Sequence, residues 1–270
     1  MLLTNKHAVI YGAAGSIGGA VSHAFAREGA TVFVTGRTIE KLEKLVNEIN
    51  SAGGKAVAAV VDAMNVEEVN NHLDEVVNQA GKIDISFNVI EIENKQNIAL
   101  TQMPPHDFVY PVEKMMQTQF ITMTAAGRAM MKKDSGVILS LTATPGGVGY
   151  PMVEGFGPAC AALENYSRNL AVELGIYGIR VVNIRSAGSP DSRPFKEGIE
   201  AQPEILNSVI SKMKSDTMLK ELPLIADIAN IAVFLASDMA SKITGVTIDA
   251  TVGTTTGLNY RTTETSFTQK

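Results

Sequence analysis

Short apolar runs recur along the chain at Ala8–Tyr11, Thr31–Thr35, Ala56–Val61, Ile83–Val89, Val137–Leu141, Val181–Ile184 and Thr247–Asp249, each bounded by glycine or polar residues. Between them lie longer segments whose apolar residues return every three to four positions: Ile17–Glu28, Ile39–Ala52, Val66–Ala80, Val112–Lys132, Phe156–Tyr177 and Ile225–Ser237. The short runs have strand length and the long ones helical period. Strand and helix alternate, and the helices are long enough to cross over between parallel strands. The pattern predicts an α/β fold: a Rossmann-like, doubly wound parallel sheet with helices on both faces. Two stretches break the rhythm. Glu91–Tyr110 is polar and carries two prolines, and Ser186–Leu222 is a long insertion with its own helical pattern at Pro203–Lys214. Insertions above the carboxyl ends of parallel strands build substrate sites, so 186–222 is read as a substrate lid.

A chain of 270 residues, 45% of them hydrophobic, suffices for one large core. Residues 1–256 are therefore expected to form a single domain, followed by a polar, threonine-rich tail at 257–270. The net charge of -5 argues against a nucleic-acid or anionic-membrane partner and leaves a small-molecule substrate. The N-terminal M-L-L-T-N-K-H-A-V-I-Y-G has no basic segment leading into a long apolar run, so a cytoplasmic protein without a membrane span is expected. Cys160 is the lone cysteine, which excludes an intramolecular disulfide and a multi-cysteine metal centre. His7, His23, His72 and His106 lack metal-ligand spacing, and no metal is expected.

The first apolar run enters Y-G-A-A-G-S-I-G-G-A, with glycines at 12, 15, 18 and 19 opening a helix. Small residues there let backbone approach a pyrophosphate, and free N–H groups at the helix start favour negative charge. Such turns also serve close helix–strand packing. Arg37, closing V-F-V-T-G-R, stands where an NAD-binding sheet of this kind carries an acidic residue for the ribose hydroxyls. A guanidinium engages a ribose 2′-phosphate that a carboxylate would repel, which favours NADP over NAD; the alternative is an ordinary surface arginine. Asp62, ending A-V-A-A-V-V-D-A, is placed to meet the adenine edge.

With I-D-I-S-F-N, G-I-R-V-V-N-I and A-D-I-A-N-I-A-V-F-L-A-S-D-M-A-S-K-I-T-G, these segments resemble the short-chain dehydrogenase/reductase family over nearly the whole chain. The resemblance implies a cofactor set of Gly12, Gly15, Ser16, Ile17, Gly18, Arg37, Asp62, Ala63 and Asn88, with Ser16 replacing the middle glycine of the family's loop. It also implies a homodimer or homotetramer, with the fourth and fifth helices forming a dimer face.

Members of the family use an asparagine, a serine, a tyrosine and a lysine, the tyrosine exchanging the proton and the lysine lowering its pKa. Matching V-I-L-S-L-T-A-T and the following helix to the family's pattern puts Gln119, Ala143, Phe156 and Cys160 at those four positions. Phenylalanine has no proton to give and cysteine cannot replace a long cation, so the usual carbonyl reduction is not expected. Tyr150 and Thr142 are the candidates for relocated chemistry, with Thr144, Glu154, Gln119 and Cys160 as further polar groups expected around the same pocket. Cys160, amid Pro158, Ala159, Ala161 and Ala162, reads as a buried small residue or as a thiolate. The sequence thus points to an atypical NADP-dependent oxidoreductase, with two alternatives: a catalytically inactive NADP-binding or sensor protein, and a non-redox enzyme on the same scaffold.

Overall fold

The computed structural model describes residues 1–257. Its sheet is wholly parallel, with strands β1 (His7–Tyr11), β2 (Thr31–Gly36), β3 (Lys55–Val60), β4 (Ile85–Asn88), β5 (Gly136–Ala143), β6 (Ile179–Ser186) and β7 (Thr247–Ala250). They lie in the order β3-β2-β1-β4-β5-β6-β7. The strand order reverses between β1 and β4, and the crevice above that switch point is where such sheets bind ligands.

Helices α1 (Ser16–Arg27), α2 (Ile39–Ser51) and α8 (Ile225–Ala236) cover one face; α3 (Val66–Ala80), α4 (Pro105–Met131) and α5 (Phe156–Leu174) cover the other. The apolar runs of the central strands are buried on both sides: Val9 and Tyr11 face one helical layer, Ala8 and Ile10 the opposite one. Met115, Met123 and Met130 line the inner side of α4 as a helix interface. No described helix is long and apolar enough to cross a membrane.

Two elements differ from the sequence expectation. Helix α4 begins at Pro105, two turns before Val112, because Pro105 occupies a first-turn position where its missing N–H is not required. Pro111 lies inside the helix, and the last six residues of the segment read as a break, Pro105–Tyr110, belong to α4. The insertion at 186–222 holds two helices, α6 (Arg193–Ala201) and α7 (Pro203–Asp216). Pro194 and Pro203 sit in the first turn of each, which is why the proline-punctuated sequence revealed only the second. Residues 258–270 of the expected tail lie outside the described residues.

Candidate active site

Above the carboxyl ends of β1, β2, β4, β5 and β6 lies a cavity of about 700 Å³. At one end is the glycine turn. Gly12 has φ +76°, a conformation that favours glycine, and a Cβ on Gly18 would sit 2.3 Å from the Gly12 carbonyl oxygen. The turn therefore closes on itself without room for side chains, and α1 begins with no side-chain cap on its first N–H groups. Free N–H groups at such a turn can cradle a phosphate, and the turn is compatible with the dinucleotide that the resemblance implied. Gly15, Ser16 and Ile17 also line the cavity. Ser16 is helical, and its hydroxyl accepts from the Arg193 backbone N–H at 2.9 Å.

Arg37 lines the cavity after β2, exposed and without a hydrogen bond or ion pair among the described residues. Lys41, one turn further on α2, faces the same space; the sequence reading missed it, although its i+4 spacing from Arg37 was a usable signal. Asp62 and Ala63 form the edge beyond β3, with Asp62 Oδ1 accepting from the Met64 N–H at 2.9 Å. Asn88 is 1% exposed, and its side chain is spent on protein. Its Nδ2 donates to Thr122 Oγ1 at 2.9 Å and to Thr118 Oγ1 at 3.2 Å, while Oδ1 accepts from the Ile90 N–H. It holds β4 to α4, so its contribution to the cavity is structural.

At the other end stand Gln119, Thr142, Ala143 and Phe156. Gln119 is buried and donates through Nε2 to the Asn88 carbonyl at 3.2 Å; its Oε1 has no partner among the described residues. Thr142 donates to Glu164 Oε1 at 2.9 Å and accepts from Asn183 Nδ2 at 2.7 Å. Behind it runs an ion network that the sequence reading overlooked. Arg185 Nε donates to Glu164 Oε1 at 2.8 Å, Nη2 to Oε2 at 2.5 Å, and Nη1 to Asp249 Oδ2 at 2.9 Å. The register aligns Thr142 with Arg185 across β5 and β6, and Glu164 reaches them from α5, one turn after Cys160. The loop after β5 seals the pair: a Cβ on Gly147 would meet Arg185 Nη1 at 2.4 Å. An arginine inside a central strand was the visible signal. The hydrogen bonds that Arg185 donates to Glu164 raise its pKa further. Burial favours the neutral form of Asp249, but bonds from Thr251, Thr255 and Arg185 outweigh it and hold the carboxyl below its usual range.

Three expected pocket groups are not in the cavity. Cys160 is fully buried beneath it, and burial, opposed by a hydrogen bond from the Ala143 backbone, pushes its thiol up to about 11, so it is a packed small residue and not a thiolate. Thr144 bonds the Ser186 carbonyl, and Glu154 is turned inward beneath the loop that follows β5. The Tyr150 expectation needs correction: the ring is 40% exposed and does not line the cavity. The loop carrying it has left-handed residues at Met152 and Glu154, and the Asn97 N–H donating to the Met152 carbonyl ties it to the segment before α4. Those constraints direct Tyr150 outward.

A parallel sheet with its cavity at the switch point and a glycine turn cradling one end defines a dinucleotide-binding, Rossmann-type protein. The family profile described as enoyl-(acyl carrier protein) reductase matches residues 12–255, and the chain belongs to the short-chain dehydrogenase/reductase family of oxidoreductases. It is 30% identical over 255 residues to the 3-oxoacyl-(acyl-carrier-protein) reductase FabG of Staphylococcus epidermidis, covering 92% of this chain and 98% of that one. Among solved structures, a short-chain type dehydrogenase/reductase from Mycobacterium marinum aligns with a TM-score of 0.82 at 26% identity, covering 94% of this chain and 97% of that one. NAD+-bound xylitol dehydrogenase aligns with a TM-score of 0.86 at 24% identity, over 94% and 100% of the two chains.

Proposed function

We propose that the chain is an NADP-preferring short-chain oxidoreductase acting on a small molecule through a non-standard active site. The observation that carries the cofactor preference is the unpaired Arg37, with Lys41 beside it, at the ribose end of the cavity. Two cations there suit a 2′-phosphate. When bound, the nicotinamide supplies or takes a hydride. The protein's share is to bind and orient: the Gly12–Gly18 turn cradles the pyrophosphate, and Phe156 and Ala143 form an apolar wall beside the reacting centre. Phe156, at the position of the family's tyrosine, offers no proton. Rate enhancement then rests on proximity and alignment.

Calorimetric titration with NADPH, NADH, NADP and NAD tests this reading, with Arg37→Ala as control. NADPH binding that weakens about tenfold or more in the variant, with NADH little changed, supports it. Failure of every dinucleotide to bind overturns it. A second reading, an NADP-binding protein without turnover, is favoured by Phe156 and the buried Cys160 at the family's proton-transfer positions; binding of NADPH without its oxidation across a substrate panel would select it. We also propose that the protein associates through α4 and α5.

A further inference from the structure

A second cavity, of about 510 Å³, lies between α1, α8 and the start of α6. Its apolar lining is small: Ala20 and Ala24 from α1, Ala226 and Ala229 from α8. Polar side chains complete it. His23 and Arg27 come from α1, about one turn apart, Lys196 comes from α6 and Asn230 from α8. Ser16 is the one residue that lines both cavities, and its hydroxyl accepts from the Arg193 N–H at 2.9 Å.

Charge around this second cavity is unevenly committed. Asp191 is its one acidic lining residue, and its carboxylate accepts from the Ile225 N–H at 3.1 and 3.3 Å. The carboxylates next in sequence to lining residues are engaged as well. Glu28 accepts from the Leu2 N–H at 2.9 Å, Asp227 accepts from the Leu224 N–H at 2.8 Å, and Glu197 lies 3.7 Å from the Arg193 guanidinium. His23 Nε2 stands 3.4 Å from Glu48 Oε2. Arg27 and Lys196, by contrast, are exposed and have no hydrogen bond or ion pair among the described residues. Arg27 suits the negative end of α1, in whose last turn it sits, but that pole does not occupy the donors of a guanidinium.

This set of groups selects its ligand. A guanidinium, an ammonium and an amide offer more N–H donors than the two oxygens of a carboxylate can use. A phosphate group brings three acceptor oxygens and about two negative charges, which match a guanidinium fork and an ammonium point charge together. We propose that this second cavity binds a small phosphate-bearing anion, held by Arg27, Lys196 and Asn230, which clamps α6 to α1. Arg193 already ties α6 to Ser16 about one turn before Lys196, so the bound anion adds a second tie along the same helix. The charge here comes from side chains rather than from a glycine turn. Because the cavities share only Ser16, a dinucleotide in the first leaves Arg27 and Lys196 uncovered.

The test titrates inorganic pyrophosphate calorimetrically into the intact protein with NADPH in excess, at an ionic strength held constant with sodium chloride, beside the same titration with malonate. The expected result is pyrophosphate binding that weakens about tenfold in Arg27→Gln and in Lys196→Gln, with malonate about tenfold weaker than pyrophosphate on the unaltered protein. Hydrogen exchange across 193–201 is expected to slow when pyrophosphate binds. Both substitutions fall on exposed side chains outside the first cavity, so NADPH binding should stay unchanged in them and reports an intact fold. Absence of pyrophosphate binding, malonate binding of equal strength, binding unmoved by both variants, or unchanged exchange across 193–201 overturns the proposal. If no dinucleotide binds the unaltered protein, the oxidoreductase reading falls by itself, and the two variants, with their fold followed by urea unfolding, still decide the anion site.

Discussion

The backbone N–H of Arg193 donates to the Ser16 hydroxyl at 2.9 Å, joining residues 177 positions apart. Ser16 opens α1 at the glycine turn and Arg193 opens α6 in the 186–222 insertion, so the bond ties the insertion to the glycine turn. The Arg193 guanidinium extends the tie to Glu91, 3.3 Å away after β4. Ser16→Gly should keep the turn, which tolerates glycine, and remove the anchor. The stability cost is expected to be about 1 kcal/mol or less, since the bond lost is a single exposed one. Hydrogen exchange across 193–201 should accelerate in the variant; unchanged exchange would mean that the anchor is not what holds α6.

Glu164→Ala leaves the Arg185 guanidinium facing Asp249 alone in a site where the two side chains of the broken pair are only 7% and 16% exposed. Breaking a buried pair on one side typically costs about 3–5 kcal/mol, whereas apolar replacement of both partners is often far milder. Urea denaturation should therefore show a larger loss for Glu164→Ala than for Glu164→Leu combined with Arg185→Met. The reverse order would show that the network contributes through attraction and not merely through satisfying a buried charge.

How much of this was legible in sequence depends on range. Apolar runs and helical periods are local, and they placed all the strands within a few residues and α3 at its observed limits, Val66–Ala80. The glycine turn and Arg37 were legible because steric and charge demands at such a turn fall on consecutive residues. The end of the cavity at Thr142 was not. Thr142, Glu164 and Asp249 are brought together by β5–β6–β7 register and by the packing of α5, which a linear pattern does not encode. Tyr150 lies close in sequence to Phe156, yet the left-handed loop residues between them turn it outward. Sequence distance counted residues where backbone geometry set direction.

Phe120 on α4 is 56% exposed and its ring lies 5.9 Å from that of Tyr166 on α5, while Val172 is 79% exposed further along α5. An apolar strip spanning two neighbouring helices favours burial against a second copy. Size-exclusion chromatography with light scattering should find a dimer or tetramer for the unaltered protein and a smaller species for Phe120→Glu combined with Val172→Glu. A monomer in both cases would sink the proposed association.

His72 on α3 is 6% exposed, and neither ring nitrogen has a partner among the described residues. Burial disfavours the charged imidazolium and lowers its pKa, with Glu75 nearby opposing the shift. Above the unfolded histidine pKa, about 6.5, both folded and unfolded chains carry neutral imidazole and its contribution to stability is fully present. As pH falls below that value the unfolded chain takes up a proton that the fold resists, and stability falls until the folded pKa is reached. The slope from this one group is at most about 1.4 kcal/mol per pH unit. Thermal or urea unfolding between about pH 8 and pH 5 should thus show an acid-side loss that His72→Leu flattens, since leucine fills much of the same apolar space without a titrating atom. An identical pH dependence in the two proteins would show that acid sensitivity arises from other groups, and that His72 is protonated as readily in the fold as outside it.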